Sequence, residues 1–450
     1  MEIIFKPNTK ICKIIGKNGR ILDNGYKLSL STYCVVDKLK SGYLIYNTLY
    51  LSMVLLTEDE YNRMLIYDNN NTYLYDYYFV IDDDSDIEDK IKKVQDLIIN
   101  SKPKSKFDKL STVTILPSTG CNAKCFYCFE KGSEIKHMTI ETADKVVEYI
   151  KKHYNGRLIH IRWFGGEPLI NEKVITYICK RLGEEKINYS SKMTSNCFLV
   201  SSDKIEIYKN LWKLKNMSVT IDGTAEIYNN IKQFSYSGSA YDKVIGNIDS
   251  LISNDIRTSI RINLGMHNMD DVETLVNNLI EHYKGKKNIK IYLNRLYDNC
   301  GGEPTPEELI MVRKTIIRLS NVLSKNGLGS GRVRLTPELR ATQCMADSRR
   351  AVMILPDGKL GLCEHYMDDL HIGDIENGVI DYETVEKCCK QIDKNELCKK
   401  CFMYPTCNKL EICSSSKCSE DGFFFKKYLY KVSMRGQLRK YLKEKNDNMS

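Results

Sequence analysis

No stretch of this 450-residue chain approaches the roughly 20 consecutive apolar residues needed to cross a bilayer. The opening, Met1-Glu-Ile-Ile-Phe-Lys, lacks the basic-then-apolar layout of a secretory signal. There are no internal repeats, and no arginine-rich stripe or aromatic binding motif accompanies the formal charge of +9. These absences argue against a membrane protein, a secreted protein and a nucleic-acid binder, and the expected location is cytoplasmic. The positive charge is spread along the chain, with a modest concentration from Lys426 to Lys445. It suits a solvated surface or an acidic peptide partner.

Cysteine, by contrast, is abundant, at 17 residues. The cytosol keeps thiols reduced, so a disulfide framework is excluded and the clustering of the cysteines points to metal. Three of them form the run Cys121-Asn-Ala-Lys-Cys125-Phe-Tyr-Cys128. The run follows an apolar, β-branched segment, Thr112-Val-Thr-Ile-Leu116, and a breaker, Pro117-Ser-Thr-Gly120. It precedes an amphipathic stretch, Thr139 to Lys152, in which Ala143, Val146, Val147 and Ile150 recur at helical spacing. The cysteines therefore lie at the carboxyl end of a strand, where barrel-like α/β folds place their active sites. Three thiolates can hold three irons of a [4Fe–4S] cube and leave the fourth open to a small ligand, which four-cysteine electron carriers cannot do. A zinc site completed by a distant histidine is the blander alternative.

The surrounding pattern gives an α/β fold. Residues 1–105 hold short alternating segments, Lys27-Leu-Ser-Leu30 and Gly42-Tyr-Leu-Ile-Tyr46, which read as strands. Thr57-Glu-Asp-Glu60 is a capping box, and Ile87, Ile91, Val94 and Ile98 share one helix face. From Thr112 to Tyr292 strands and helices alternate, with strands at Ile159–Trp163, Met217–Ile221 and Thr258–Ile262 and helices near Glu172–Leu182 and Asp271–Tyr283. That length suits a partial barrel of about six βα units better than the eight-unit barrel of about 250 residues. Residues 304–326 form a helix with Pro306 at its tolerated start. The segment from Cys344 to Cys418 is too cysteine-dense and irregular to fold without metal.

Downstream of the three cysteines stands Trp163-Phe164-Gly165-Gly166-Glu167-Pro168. With Cys121, Cys125 and Cys128, this run resembles the radical S-adenosylmethionine (SAM) enzymes. The resemblance implies that the open iron binds SAM, with the backbone of Gly165 and Gly166 and with Glu167 meeting the SAM ammonium group. It also implies roles in cofactor binding for Tyr127 against adenine, and for Ser195 and Asn196 in Thr194-Ser195-Asn196. Asp222 in Ile221-Asp222-Gly223, and Arg261 and Asn263 at the end of the next strand, belong to the same set. Cys197 replaces the usual glycine after Asn196. Tyr228 and Lys232 stand where the family carries a histidine and an arginine, so neither inherits a role. The chemistry implied is one-electron cleavage of SAM to a 5′-deoxyadenosyl radical that abstracts hydrogen from the substrate.

Near the C-terminus, Cys344 and Cys363 with Gly358 between them, then Cys398-x2-Cys401-x5-Cys407, Cys413 and Cys418, resemble the SPASM domain, which binds two auxiliary [4Fe–4S] clusters. Carried over, Cys398, Cys401, Cys407 and Cys418 would hold the second cluster, and Cys344, Cys363 and Cys413 the first. The first would then keep an open iron, for which Cys388 and Cys389 offer replacements. A zinc ribbon at Cys398 and Cys401 is the rival. The organisation expected is a winged-helix-like α+β peptide-recognition domain (1–105), a partial (β/α)6 barrel (106–300), a helical bridge (301–340), a cysteine-rich iron–sulfur domain (341–420) and a basic helical tail (421–450).

SPASM-bearing enzymes act on peptides and proteins. The expected function is maturation of a ribosomally made, cysteine-containing precursor peptide, held by its leader and closed by a thioether bond. Flavodoxin or ferredoxin would be the electron donor. The alternative is an anaerobic sulfatase-maturating enzyme forming formylglycine, for which Glu364, directly after Cys363, is the candidate catalytic base. A non-enzymatic iron–sulfur or zinc protein is the alternative of another class.

Overall fold

The computed structural model describes residues 1–296, 304–329, 335–367, 369–413 and 418–448. The chain forms two compact units. One comprises Met1–Lys102, Gly331–Gln343 and Gln391–Ser450, and the other Pro103–Ser330 and Cys344–Lys390. The cysteine-dense segment is therefore divided at about residue 390 between the two units.

The first unit begins with β1 (Glu2–Phe5), α1 (Thr9–Ile15), β2 (Ser29–Leu30), β3 (Cys34–Leu39), β4 (Gly42–Asn47) and β5 (Ser52–Leu56). It continues through α2 (Glu58–Arg63), α3 (Tyr73–Asp76), β6 (Val80–Ile81) and α4 (Ile87–Asn100). The main sheet has the order β1-β5-β4-β3 and is antiparallel. The Thr57–Glu60 capping box is formed on α2. The stripe Ile87, Ile91, Val94 and Ile98 of α4 is buried; each such side chain contributes on the order of 1.5–3 kcal/mol relative to exposure. Strand β2 is shorter than the alternation implied: Ser29 and Leu30 pair with β6, while Lys27 makes an isolated bridge to Ile66.

The second unit holds β7 (Thr112–Ile115), α5 (Ile140–Lys152), β8 (Ile159–Trp163), α6 (Glu172–Glu184), β9 (Tyr189–Ser195) and β10 (Leu214–Thr220). Then follow α7 (Ala225–Lys232), α8 (Ala240–Ser253), β11 (Arg257–Leu264), α9 (Val272–Tyr283), β12 (Ile289–Arg295) and α10 (Pro306–Lys325). Strands β7 to β12 pair in sequence order and all in parallel, the six-stranded partial barrel that the alternation implied. Beyond β7 the sheet continues through β13 (Ala351–Ile354), parallel to β7, and antiparallel β14 (Lys359–Gly361), β15 (His371–Asp374) and β16 (Gly378–Val379). Helix α11 (Tyr382–Cys389) ends this unit.

Alternation along the barrel strands sorts two faces. Ile159, Ile161 and Trp163 of β8 are buried, whereas His160 and Arg162 face the other way. That second face carries Ser190, Lys192 and Thr194 of β9 and Asn216 and Ser218 of β10, and it lines an open cavity of about 450 Å³. The interior is polar instead of being filled by branched apolar side chains as in closed barrels.

The chain from residue 391 returns to the first unit through α12 (Glu396–Lys399) and α13 (Glu420–Asp447). Phe402, Met434 and Leu438 enter the same core as Ile11, Tyr46 and Ile91, and Arg435 grips Asp37 of β3 with bonds of 2.6 and 2.8 Å. Among the described residues, no helix is long and apolar enough to cross a membrane.

Candidate active site

The loop from β7 to α5 is pinched at its neck. Met138 N donates to Pro117 O at 2.9 Å and Thr119 N to Lys136 O at 3.0 Å. Ser118 Oγ accepts from Gly120 N at 2.9 Å and meets His137 Nδ1 at 3.0 Å. Cys121, Cys125 and Cys128 follow, with Cys128 N bonded to Cys125 O at 3.2 Å. Ala123 N, at 3.4 Å, and Asn196 Nδ2, at 3.8 Å, both point at Cys121 Sγ.

Two glycines seat this loop. A Cβ on Gly165, whose φ is +115°, would lie 2.1 Å from Ser118 O, and one on Gly166 would lie 2.5 Å from both Thr119 O and Gly120 O. Glu167 N then donates to Gly120 O at 2.9 Å. The end of β8 is therefore moulded against the backbone leading into Cys121, and no side chain larger than hydrogen fits there.

Glu167 lies in the interior beside this loop. Its carboxylate is 0% exposed and accepts from Leu169 N at 3.0 Å, Ser195 Oγ at 2.9 and 3.1 Å and Asn196 N at 2.7 Å. Burial raises its pKa to about 7 in spite of those donors. It ties the ends of β8 and β9 together and so places Asn196, whose Nδ2 donates to Asn122 Oδ1 at 2.7 Å. Ser195 Oγ is likewise engaged, accepting from Cys197 N at 2.8 Å. Cys197 itself adopts φ +64° and is fully buried, so the turn keeps its glycine-like backbone with a cysteine in it.

Tyr127 and Asp222 share a buried lysine. Lys232 Nζ, at the end of α7, lies 3.0 Å from Asp222 Oδ2 and donates to Tyr127 OH and Thr220 Oγ1, each at 2.8 Å. Tyr127 OH donates to Asp222 as well. Asp222 Oδ1 accepts from Asn263 N at 2.8 Å, and Lys232 O accepts from Lys124 N at 2.7 Å. Desolvation alone would lower the Lys232 pKa, but the Asp222 carboxylate and the Tyr127 oxygen hold it well above the ordinary lysine value. Burial, then Asp222, raise Tyr127. The tyrosine hydroxyl is thus an anchor for the cysteine loop, and Asp222 is the counter-ion of a buried lysine. Lys232 stands where the family carries an arginine, and its burial depends on partners distant in the chain.

Two buried polar atoms remain for a cofactor to satisfy: Asn122 Nδ2 and Asn263 Oδ1 find no hydrogen-bond partner among the described residues. Three thiols on one loop with such amides beside them fit a cube and a polar ligand on its open iron. Among the described residues no three His, Cys, Asp or Glu side chains close on a single ion; a cube takes thiolates spread around a larger group.

Residues 115–279 match the family model of the Radical SAM superfamily. This chain carries a radical SAM domain. It is 23% identical to the GTP 3′,8-cyclase of Clostridium perfringens (strain 13 / Type A) over 286 residues, 60% of this chain and 86% of the cyclase. It is 29% identical over 258 residues to the radical SAM cyclopropyl synthase TigE of Paramaledivibacter caminithermalis, 51% of each chain. Among solved structures it is similar to anSMEcpe with bound AdoMet and Kp18Cys peptide (TM-score 0.55, 16% identity, 74% of this chain and 99% of that one). It is also similar to Streptococcus suis SuiB bound to precursor peptide SuiA (TM-score 0.51, 13% identity, 87% and 100%). At these identities the structures share a fold. The radical SAM match supports an iron–sulfur enzyme that uses a [4Fe–4S] cluster and SAM.

Within the unit that holds the radical SAM domain, Glu364 follows Cys363 and lies 3.8 Å from Arg162 Nη2 on the polar strand face. The His365 ring stands 4.9 Å from that of Phe129, the residue after Cys128. On the other flank, Met345 Sδ, next to Cys344, is 3.6 Å from Arg162 Nη1. The segments bearing Cys344 and Cys363 therefore border the face that opens beside the cluster loop. Cys388 is raised by burial, then by the charge of Cys389, with Cys344 also contributing.

The remaining cysteines sit in the other unit. Cys398, Cys401, Cys407, Cys413 and Cys418 line one cavity of about 260 Å³ with Lys409 and Phe423. Lys409 Nζ is 3.5 Å from Cys418 Sγ. Cys413 thus shares a wall with the group from which the family pattern separated it. The pairing of Gln391 with Leu410 and the bond from Cys413 N to Leu410 O, at 3.3 Å, turn it inward.

Proposed function

We propose that the chain is a radical SAM peptide maturase that crosslinks a cysteine of a ribosomally made precursor peptide through a thioether. The observation that carries this reading is the junction of three parts in one unit. The cluster loop, the open polar strand face and the Cys363-Glu364-His365 segment all meet at Arg162 and Phe129.

A cluster held by Cys121, Cys125 and Cys128, with SAM on it, would supply an electron and the chemistry that removes a hydrogen atom from a substrate carbon, and auxiliary clusters held at Cys344/Cys363 and Cys398–Cys418 would supply an acceptor for the electron left over. The protein's own tasks are positional. Gly165 and Gly166 seat the cysteine loop, Glu167 holds Asn196 beside it, and Lys232 with Asp222 clamps Tyr127. Asn122, Asn263 and Arg261 meet the polar parts of SAM. Glu364, oriented by Arg162, accepts the proton of the substrate thiol as the sulfur–carbon bond forms. In balance, one C–H and one S–H bond break and one S–C bond forms. The leader would add along β3, an edge strand of the first unit. Support for a peptide substrate comes from the fold shared with SuiB bound to SuiA and anSMEcpe bound to Kp18Cys.

Formylglycine formation is the second reading, favoured by Glu364 at this same place. Mass spectrometry separates the two. After anaerobic reconstitution, a cysteine-containing candidate peptide chosen from the reading frames beside this gene is expected to lose two hydrogen atoms and to resist thiol alkylation. An unchanged peptide in the presence of consumed SAM would reject maturation, and a peptide that loses sulfur would select formylglycine.

A further inference from the structure

The six parallel strands β7 to β12 contain no Asp or Glu and seven lysines and arginines. Soluble strands seldom carry charge of one sign only. Parity places Arg162, Lys192, Arg257, Arg261 and Lys290 on the polar face with His160. Lys215 falls on the opposite parity. Some of these cations are engaged: Lys290 Nζ donates to Gly327 O at 2.6 Å, and His160 Nδ1 meets Ser190 Oγ at 3.1 Å.

At the centre the arrangement changes. Arg162 and Lys192 are paired positions on neighbouring strands, pointing to the same face. Like charges placed opposite one another in a sheet cost stability. Here the compensation is thin. Glu364 reaches Arg162 only at 3.8 Å, and among the described residues Lys192 has no ion-pair or hydrogen-bond partner. Its neighbours in the cavity, Thr194, Asn216 and Ser218, are neutral hydrogen-bonding groups. A cation pair kept in an open cavity with one distant carboxylate is a built place for an anion.

Resting on the peptide reading above, we propose that Lys192, with Arg162 beside it, binds a carboxylate side chain of the substrate peptide and so selects an Asp- or Glu-bearing segment for the polar face. Lys192 lies two residues before Thr194 along β9, toward the strand's N-terminal end from Ser195 and Asn196. An acidic residue anchored there leaves its neighbours in the chain near the cluster loop. A charged pair across this cavity brings orientation as well as affinity.

The test uses the reconstituted full chain and isothermal titration at low ionic strength, with three probes: a capped Gly-Glu-Gly-Glu-Gly peptide, its Gln counterpart, and GTP. The Glu peptide is expected to bind about tenfold more tightly than the Gln peptide. That preference should vanish in Lys192→Gln, return in Lys192→Arg, and persist in Lys180→Gln, an exposed control on α6. Equal or undetectable binding of the two peptides would overturn the proposal. So would an equal loss in Lys180→Gln, a matching loss of SAM affinity in Lys192→Gln, or Lys192-dependent binding of GTP without the peptides. Binding and product mass are read separately. Glu selectivity without a modified product would reject only the maturation reading, and product without Glu selectivity would reject only this one.

Discussion

Lys232 Nζ lies 3.0 Å from Asp222 Oδ2, with the lysine side chain 2% and the aspartate 0% exposed. The pair holds the cysteine loop from within the barrel, through the Tyr127 hydroxyl and the bond from Lys124 N to Lys232 O.

Breaking such a pair on one side strands a charge in the interior. Lys232→Met is expected to destabilise the protein by about 3–5 kcal/mol, measured by anaerobic chemical denaturation. Lys232→Met with Asp222→Leu should recover part of the loss, because neither charge is then left alone. A single variant within about 1 kcal/mol of the parent would show that the pair is not desolvated as described.

The glycine pair gives a sharper contrast. In Gly166→Ala the new methyl would sit 2.5 Å from two backbone oxygens of the cluster loop. Gly183, on α6, has nothing within 4 Å of the same position. Gly166→Ala should therefore lower the iron retained after reconstitution, whereas Gly183→Ala should keep it and gain about 0.5–1 kcal/mol of helix stability. Equal iron in both variants would contradict the seating of the loop on β8.

Glu167 predicts a pH effect with a definite sign. Its folded pKa, about 7, stands above the ordinary 4.5 because of burial. The native state then holds the proton more tightly than the unfolded chain. Its contribution is fully present below about 4.5 and is lost as pH rises through about 7, by on the order of 3 kcal/mol. Denaturation at a series of pH values should show this fall in the parent and a flatter curve in Glu167→Gln. Parallel curves would mean that Glu167 does not titrate in that window. Cluster lability affects both proteins alike and cancels in the comparison.

Iron counting addresses the second cysteine cavity. If Cys398, Cys401, Cys407, Cys413 and Cys418 hold a cube, Cys398→Ala with Cys401→Ala should remove about four irons per chain and leave SAM cleavage detectable. Loss of zinc with unchanged iron would assign the cavity to the rival metal.

The cysteine loop, its place after a strand, the Gly165-Gly166 turn and the six βα units were all legible in the sequence, because each is a local pattern of spacing or periodicity. The roles of individual polar residues were not. Tyr127, Glu167 and Asp222 resemble cofactor-binding residues of the family, and the structure adds that their side chains are engaged by Lys232, Ser195 and Asn196, contacts that join residues far apart in the chain. Lys232 stands where the family carries an arginine, and its burial depends on those same distant partners. The cationic face around Lys192 emerges only when strand register puts Arg162 beside it. Cys413 shows the limit of spacing, since a turn at Leu410 decides which cavity it lines.

The most direct measurement follows hydrogen from the substrate. A cysteine-containing candidate peptide chosen from the reading frames beside the gene, made with deuterium at its non-exchangeable positions, is incubated with reconstituted enzyme, SAM and reductant, and the 5′-deoxyadenosine is analysed by mass spectrometry. The account expects 5′-deoxyadenosine carrying one deuterium, formed faster with the peptide than without it. Unlabelled 5′-deoxyadenosine produced at the same rate with and without the peptide would contradict it.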